Sequence, residues 1–509
     1  MKAAGNPLNA DNDQPSEAPF DAGQTLAGIG LLYTSHAIEK LSLLVATIML
    51  ARWLPQEDFG LIATILLILS VFSMFRDIGI TDALIYKNSE AGQTADAAFW
   101  LLTTFGTALA LLVWIAAPAI AWFLGTASDF PIILCITSLA LPLEAVGMTH
   151  WTLLRRQLLF KRVATVQILA AVTKTAVIVM LVISGWGLWS LTAGFLAGSA
   201  VRTLAFWLAI PWRPRARIKR NVALDLISYG RHTWLNGLLY EFLNKADQIA
   251  VIMIFGEVPL GYFYLAARIS EVTVTQICIV LTTVLFPTIA TLHRVSGNTS
   301  KYILNALRYI SYGLIAIGLG IAATAPTSIP LIFGEKWIMA VPFAAVIAVN
   351  ATLGALFWIV GDGLKATGRP DVLVRITAAR LTAFVVLSPI IIYFFRSPLA
   401  ICYAATGAAL IGCLAEIYVA KEWFAIKPMD LGRSVLPAVA SGLVMVLVVQ
   451  SVAFTTLSFG ALASLSLQIA AGAIVYLLVL WLLDGRRLEE VAIMLFNRLS
   501  QAADKYEQR

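Results

Sequence analysis

Charge is scarce in this chain. Only 13% of its 509 residues are Asp, Glu, Lys or Arg, about half the share in an ordinary soluble domain. Hydrophobic residues make up 60%. Together these figures exclude a soluble globular protein, a disordered chain and a fibrous one. Cysteine is scarce too: Cys135, Cys278, Cys402 and Cys413 all sit in apolar runs. No two have metal-ligand or redox spacing, so they read as small apolar residues. His150, His232 and His293 show no metal spacing either. A phosphate-binding Gly-Lys-Ser/Thr loop is missing, so the chain hydrolyses no ATP by itself, and no cofactor is expected. The start lacks the basic-then-apolar order of a cleavable signal: residues 1–22 set Lys2 against Asp11, Asp13, Glu17 and Asp21. The first apolar run, from about Thr25, therefore reads as a true span behind a disordered cytoplasmic tail, 1–24.

What fills the chain is continuous apolar sequence. Runs such as "LLILSVFSMF" and "VIVMLVIS" do not alternate, which excludes a transmembrane β-barrel. A membrane helix needs about 20 mostly apolar residues. Turn and charge clusters divide the chain into about 14 such helices, leaving no room for a sizeable soluble domain. Their expected bounds are 25–52, 58–80, 97–123, 131–152, 163–184, 186–210, 229–255, 261–285, 303–327, 339–360, 372–395, 398–420, 434–456 and 461–483. Only "FRSPL" separates the eleventh from the twelfth. Pro118, Pro142 and Pro389 lie inside spans and predict kinks.

The net charge is +7. In a membrane protein such an excess collects in cytoplasmic loops, so no nucleic-acid partner is inferred. Nearly all loop Lys and Arg fall in one alternate set, including "RRQLLFKR" (155–162), "RPRARIKR" (213–220), Lys365, Arg369, Lys421, Lys427, Arg433, Arg486 and Arg487. The other set holds Arg52, Lys336 and Arg396. This bias places both termini in the cytoplasm. The stretch 484–509 has apolar residues at helical spacing between charges and predicts an amphipathic tail on the inner membrane face.

"IMLARWLPQEDFGLIA" (48–63) and "VIMIFGEVPLGYFYLA" (251–266) repeat one pattern. Each joins two spans through a short turn with Pro, then Gly beside an aromatic residue (Phe59, Tyr262). Upstream, Glu39 and Lys40 correspond to Glu241 and Lys245 with a small offset. The repeat predicts two pseudo-symmetric six-helix lobes, 25–210 and 229–420, joined by a basic linker, 211–228, with two further helices over 434–483.

Ionised groups facing lipid at the bilayer centre cost at least ~2.5–3.5 kcal/mol each. Those near mid-depth must face protein or a wet cavity. They are Glu39 and Lys40, Lys174, Glu241 and Lys245, and Arg268 and Glu271, with Arg202 and Arg76–Asp77 nearer the cytoplasm. Spans 13 and 14 carry none. Lys40, Lys174, Arg202, Lys245, Arg268 and Arg76 are the candidate anion-binding residues, Arg as a two-pronged clamp and Lys as a point charge. Glu39, Glu241 and Glu271 are candidates for coupling or for ion pairing. Local pairing is the competing reading where Glu241–Lys245 and Arg268–Glu271 share a helix face. Asp58–Gly60 and Asp77–Gly79 read as caps or turns, and Trp186 and Trp189 as an interfacial belt.

The order of "LARWLPQEDFGLIA", "FRDIGITDALI" (75–85), "AAFWL" (97–101), "LLRRQLLFKRVA" (153–164), "GWGLWSL" (185–191), "LGYFYLAARI" (260–269), "LFPTIATL" (285–292) and "FGEKWIMAVPF" (333–343) resembles the polysaccharide transport family over about 25–430. This family belongs to the multidrug/oligosaccharidyl-lipid/polysaccharide flippase superfamily. The nearest branch is the colanic-acid and succinoglycan type of exporter, related to O-antigen flippases. The resemblance implies a bacterial inner-membrane flippase, not an enzyme. It would move undecaprenyl-pyrophosphate-linked oligosaccharide to the periplasmic leaflet by alternating access, for exopolysaccharide or lipopolysaccharide synthesis. Its partners would be the lipid-linked oligosaccharide, membrane lipids, a coupling H⁺ or Na⁺, and a polysaccharide polymerase and co-polymerase. The resemblance carries no universal substrate-contact motif, so the candidate residues rest on their placement alone.

Three other readings compete. A drug or small-solute cation-coupled antiporter of the same superfamily predicts a smaller, less cationic cavity. A membrane glycan polymerase or ligase needs a long external loop bearing Arg and His, whereas the external loops here are short and nearly free of basic residues. A pure scaffold leaves the mid-membrane cations unexplained.

Overall fold

A computed structural model gives the fold. It describes residues 22–86, 91–126, 129–216, 219–296, 299–456 and 459–507. Of the tail expected to be disordered over 1–24, residues 1–21 lie outside the described residues and 22–24 instead open the first helix; the side chains from 488 onward, on which the amphipathic reading of 484–509 depends, also lie outside them. The described chain is helical, with no strand among the described residues, in agreement with the all-α expectation. It divides into two compact units, 1–265 and 266–509.

The first unit holds α1 (Ala22–Trp53), α2 (Gln56–Ser73), α3 (Ile80–Tyr86), α4 (Ala91–Leu124), α5 (Phe130–Ser138), α6 (Ala140–Arg156), α7 (Phe160–Ile183), α8 (Trp189–Ala209), α9 (Arg220–Phe255) and the start of α10 (Glu257–Ser270). The second holds the rest of α10, a π-helical turn (Glu271–Thr275), α11 (Gln276–Ser296), α12 (Ser300–Phe333), a 3₁₀ turn (Glu335–Ala340), α13 (Val341–Leu356), α14 (Trp358–Ala366), α15 (Pro370–Phe395), α16 (Leu399–Phe424), α17 (Pro428–Thr455) and α18 (Ala461–Glu507).

Twelve segments among the described residues are long and apolar enough to cross a membrane. The spans expected at 229–255 and 261–285 are helical as α9 and as α10–α11 but are not among the twelve. α9 carries Glu241, Lys245 and Asp247, and α10 carries Arg268 just before Glu271. Large side chains lie bare on the outer faces, with Ile115 78%, Leu208 84% and Phe454 77% exposed. Apolar surface of that extent suits hydrocarbon rather than water.

Several breaks shape the helices. The expected span 58–80 stops at Ser73 and resumes as α3 at Ile80. The expected span 131–152 is split between α5 and α6 at Leu139. Pro142 explains that split: it offers no N–H to the Ser138 carbonyl and its ring crowds that turn. Pro118 and Pro389, by contrast, sit within the uninterrupted α4 and α15. At "FRSPL", Arg396 takes a left-handed conformation (φ 45°) that ends α15, and α16 starts at Leu399.

In the first unit α7 packs between α1 and α8, and α6 packs between α4 and α8. Small residues let these helices approach. A Cβ on Gly147 of α6 would stand 3.1 Å from the Thr203 hydroxyl of α8, and one on Gly198 of α8 would stand 2.8 Å from the Lys174 Cβ of α7. In the second unit α17 and α18 pack on α12. Polar ties hold them: Gln450 donates to the Ala323 carbonyl (3.2 Å), Gln468 to Thr327 (2.9 Å), and Tyr312 to Asp484 (2.5 Å).

Candidate functional site

The break after α2 builds the site. A helix end leaves carbonyls without partners, and the Trp234 indole N–H fills one by donating to the Met74 carbonyl (2.7 Å). Asp77 accepts from the Thr81 amide (3.1 Å) and from its hydroxyl, starting α3. This is the capping role expected of it. Gly79 is left-handed (φ 68°), and a Cβ there would come within 2.3 Å of the Gly230 carbonyl on α9. Two glycines therefore allow backbone to touch backbone at this point. The irregular stretch 74–79 projects Arg76 away from α3 and toward α6.

A cavity of about 170 Å³ receives it, lined by Glu39, Arg76, Glu144, Gln167, Arg202 and Thr203 among others. The lining follows helical periodicity. On α6 it takes Glu144, Gly147, Met148 and Trp151, the i, i+3, i+4, i+7 stripe of one helix face, and on α8 Arg202, Thr203 and Phe206. Glu39 comes from α1 and Gln167 from α7, where Gln167 accepts from the Ser35 hydroxyl at 3.0 Å.

Four charges meet there. Arg76 Nη1 donates to Glu144 Oε2 at 2.7 Å. Arg202 Nη1 lies 3.7 Å from Glu144 Oε1, and Arg202 Nη2 lies 3.4 Å from Glu39 Oε1. The Ser199 hydroxyl, one turn before Arg202, donates to Glu144 Oε1 at 2.9 Å. His36 Nδ1 is 3.9 Å from Glu39. Arg76 Nε and Arg202 Nε are buried with no hydrogen-bond partner among the described residues. The cluster is thus balanced in formal charge yet keeps unused guanidinium donors.

The structure brings Arg76, Arg202 and Glu39 together. The other candidates lie elsewhere. Lys174 sits over the Phe195 ring, 3.3 Å from its centroid, a cation–π contact between α7 and α8. Lys40 is a half-buried residue of α1. Lys245 and Glu241 are on α9, with no ion pair joining them among the described residues. Glu241 instead lines a second cavity of about 220 Å³ with Asp77 and Asp82. In the second unit Arg268 closes on Glu271 at 2.5 Å where the π-helical turn begins. Among the described residues no group of three or more His, Cys, Asp or Glu is placed to hold a metal.

Sequence reasoning missed Glu144. It is a lone acid in "LPLEAVG", and its stripe mates Gly147, Met148 and Trp151 look apolar. The available signal was the polar stripe Ser199–Arg202–Thr203 on α8, which needs an acid opposite. It also missed the charges on α15 and α16. Gly412 makes room for the Arg380 stem, whose Cδ would stand 2.6 Å from a Cβ there, and Glu416 follows one turn on, buried. Mid-depth charge is therefore not confined to spans 1–2, 5–6 and 7–8.

The profile of the polysaccharide biosynthesis protein family matches residues 49–342, more than half of the chain. The succinoglycan biosynthesis transport protein ExoT of Rhizobium meliloti is 25% identical over 304 residues, which is 59% of this chain and 61% of that one. The lipopolysaccharide biosynthesis protein WzxC of Escherichia coli is 25% identical over 352 residues, 67% of this chain and 70% of that one. The teichuronic acid biosynthesis protein TuaB of Bacillus subtilis is 23% identical over 297 residues, 58% of this chain and 61% of that one. The chain thus spans about six-tenths of the length of the first and third of these relatives. Among solved structures, a lipid II flippase, MurJ, in an inward closed conformation matches with TM-score 0.74 at 15% identity, over 90% of this chain and 99% of that one. An inward-facing multidrug resistance MATE family transporter matches with TM-score 0.57 at 14% identity, over 78% of this chain and 95% of that one. At these identities the likeness is one of fold.

Proposed function

The chain belongs to the polysaccharide biosynthesis protein family, and on that premise we propose that it is a flippase for undecaprenyl-pyrophosphate-linked oligosaccharide in the bacterial inner membrane. The observation that carries this reading is the pair of guanidiniums, Arg76 and Arg202, on one cavity among membrane-length helices. A lipid-linked sugar has an apolar tail that can stay in the bilayer. Only its anionic head must be shielded from hydrocarbon, and Arg donors suit a phosphate. The names of the relatives, which concern succinoglycan biosynthesis transport and the biosynthesis of lipopolysaccharide and teichuronic acid, agree with this class of cargo. A drug or small-solute cation-coupled antiporter is the competing reading, and paired guanidinium donors favour an anionic cargo. A transporter of this kind catalyses no covalent step.

In this reading both termini are cytoplasmic, and residues 25–210 rock against 229–420 to give alternating access. Lys40, Lys174, Lys245 and Arg268 supply further positive charge along the path. Glu39, Glu241 and Glu271 are the groups that would carry a coupling H⁺ or Na⁺. A polymerase and co-polymerase would take the product on the outer side.

The test is periplasmic delivery of labelled lipid-linked oligosaccharide, normalised to protein level. Arg76→Gln and Arg202→Gln should each lower delivery by about tenfold or more, the weight of a charge-assisted hydrogen bond. The Lys40, Lys174 and Lys245 triple Ala variant should also lose delivery, with Arg at these positions restoring more than Gln. Normal delivery in both Arg variants would sink the site.

A further inference from the structure

Glu144 holds the place where an anion would sit. Its two oxygens take the Arg76 Nη1 donor at 2.7 Å and the Ser199 hydroxyl at 2.9 Å, with Arg202 Nη1 at 3.7 Å. The two guanidiniums are donors a phosphate would use, while the Ser199 hydroxyl holds Glu144 in place. Arg76 Nε and Arg202 Nε stay buried with no hydrogen-bond partner among the described residues. Buried unsatisfied donors are uncommon and call for an explanation. A diphosphate offers more oxygens on a tetrahedral frame and can reach donors that Glu144 leaves unused.

Charge arithmetic points the same way. Arg76 and Arg202 are balanced by Glu144 and Glu39. The closed cluster has no net positive charge to offer an anion until one acid withdraws. Of the two, Glu144 lies against both arginines, at 2.7 Å from Arg76 and 3.7 Å from Arg202, whereas Glu39 touches Arg202 alone, at 3.4 Å.

Resting on the headgroup reading above, we infer that Glu144 is an intramolecular competitor for the diphosphate of the substrate. Entry of the anion displaces the Glu144 carboxylate from Arg76 and Arg202. Return of the carboxylate helps expel the anion after transit. A carrier needs both events, because a ligand held too strongly on one side does not leave on the other. The competitor lowers affinity while keeping the arginines paired and in place between cycles.

The experiment titrates inorganic pyrophosphate into the full-length protein in detergent by calorimetry at fixed ionic strength. Glu144→Gln keeps the shape and removes the competing charge. Its pyrophosphate Kd should fall by about tenfold or more, and its delivery of lipid-linked oligosaccharide should fall as well, because release slows. Ser199→Ala loosens the hold on Glu144 without unpairing a charge, so it carries the test if the Gln variant does not fold. It should tighten pyrophosphate by a smaller factor. Arg76→Gln should abolish binding. If Arg76→Gln abolishes binding while Glu144→Gln and Ser199→Ala bind as wild type does, the competitor is overturned and the arginine site stands. If neither the wild type nor any variant binds pyrophosphate, the headgroup site falls and this inference with it.

Discussion

Arg76 and Glu144 show how much one residue pair decides. Each is mostly buried, with 16% and 24% of its side chain exposed. Removing one partner strands the other charge in a poorly solvated place, which is costlier than removing both. Arg76→Ala should therefore destabilise the protein by about 2–4 kcal/mol. The Arg76→Met, Glu144→Met double variant should recover much of that loss and still fail to deliver substrate. Thermal melting in detergent gives the first quantity and the delivery assay the second. A double variant melting as low as the single one would show that the pair does not act through its mutual contact. Arg76 was legible as a charge at a helix-breaking motif, and Arg202 as a cation inside an apolar run. Glu144 was not, because a lone acid beside Pro142 says nothing about what faces it until α6 and α8 are packed.

At the scale of elements, the break between α2 and α3 is the feature that presents Arg76. Its tolerance rests on Gly79 and Gly230, whose backbones meet closely. Gly79→Ala meets two penalties, a left-handed φ of 68° and a Cβ within 2.3 Å of the Gly230 carbonyl. Together these should cost about 2–4 kcal/mol. Gly313, on α12, has nothing within 4 Å of a would-be Cβ, so Gly313→Ala should melt no lower than the parent. Equal melting temperatures for the two variants would show that the Gly79–Gly230 approach relaxes freely. The capping by Asp77 was readable from "FRDIGITDALI", since short polar side chains cap helix starts. The contact with α9 was not, because Gly230 lies far along the chain and its partner is backbone. The split at Leu139 was half legible: Pro142 marked a kink, and packing turned it into two helices, whereas Pro118 and Pro389 left theirs continuous.

At the scale of the whole molecule, the basic-loop bias makes a prediction independent of the site. Reporter fusions after residues 90, 218 and 430 should read cytoplasm, and one after 128 periplasm. A periplasmic reading at 218 would overturn the orientation, since "RPRARIKR" is the strongest basic cluster in the chain.

The sequence by itself determined the class of protein: 60% hydrophobic and 13% charged residues in continuous runs can only be membrane helices. It also carried the family, through the order of its motifs. The tertiary structure alone decided which charges meet. Glu39, Glu144 and Arg202 come from three helices and Arg76 from the break between α2 and α3, and nothing in their spacing sets one against another. Hydropathy fixes which segments enter the bilayer. The rotation and depth of each helix, and so the partner of each charge, come from packing, with Gly147 against Thr203 and Gly198 against Lys174 setting how closely α8 meets its neighbours.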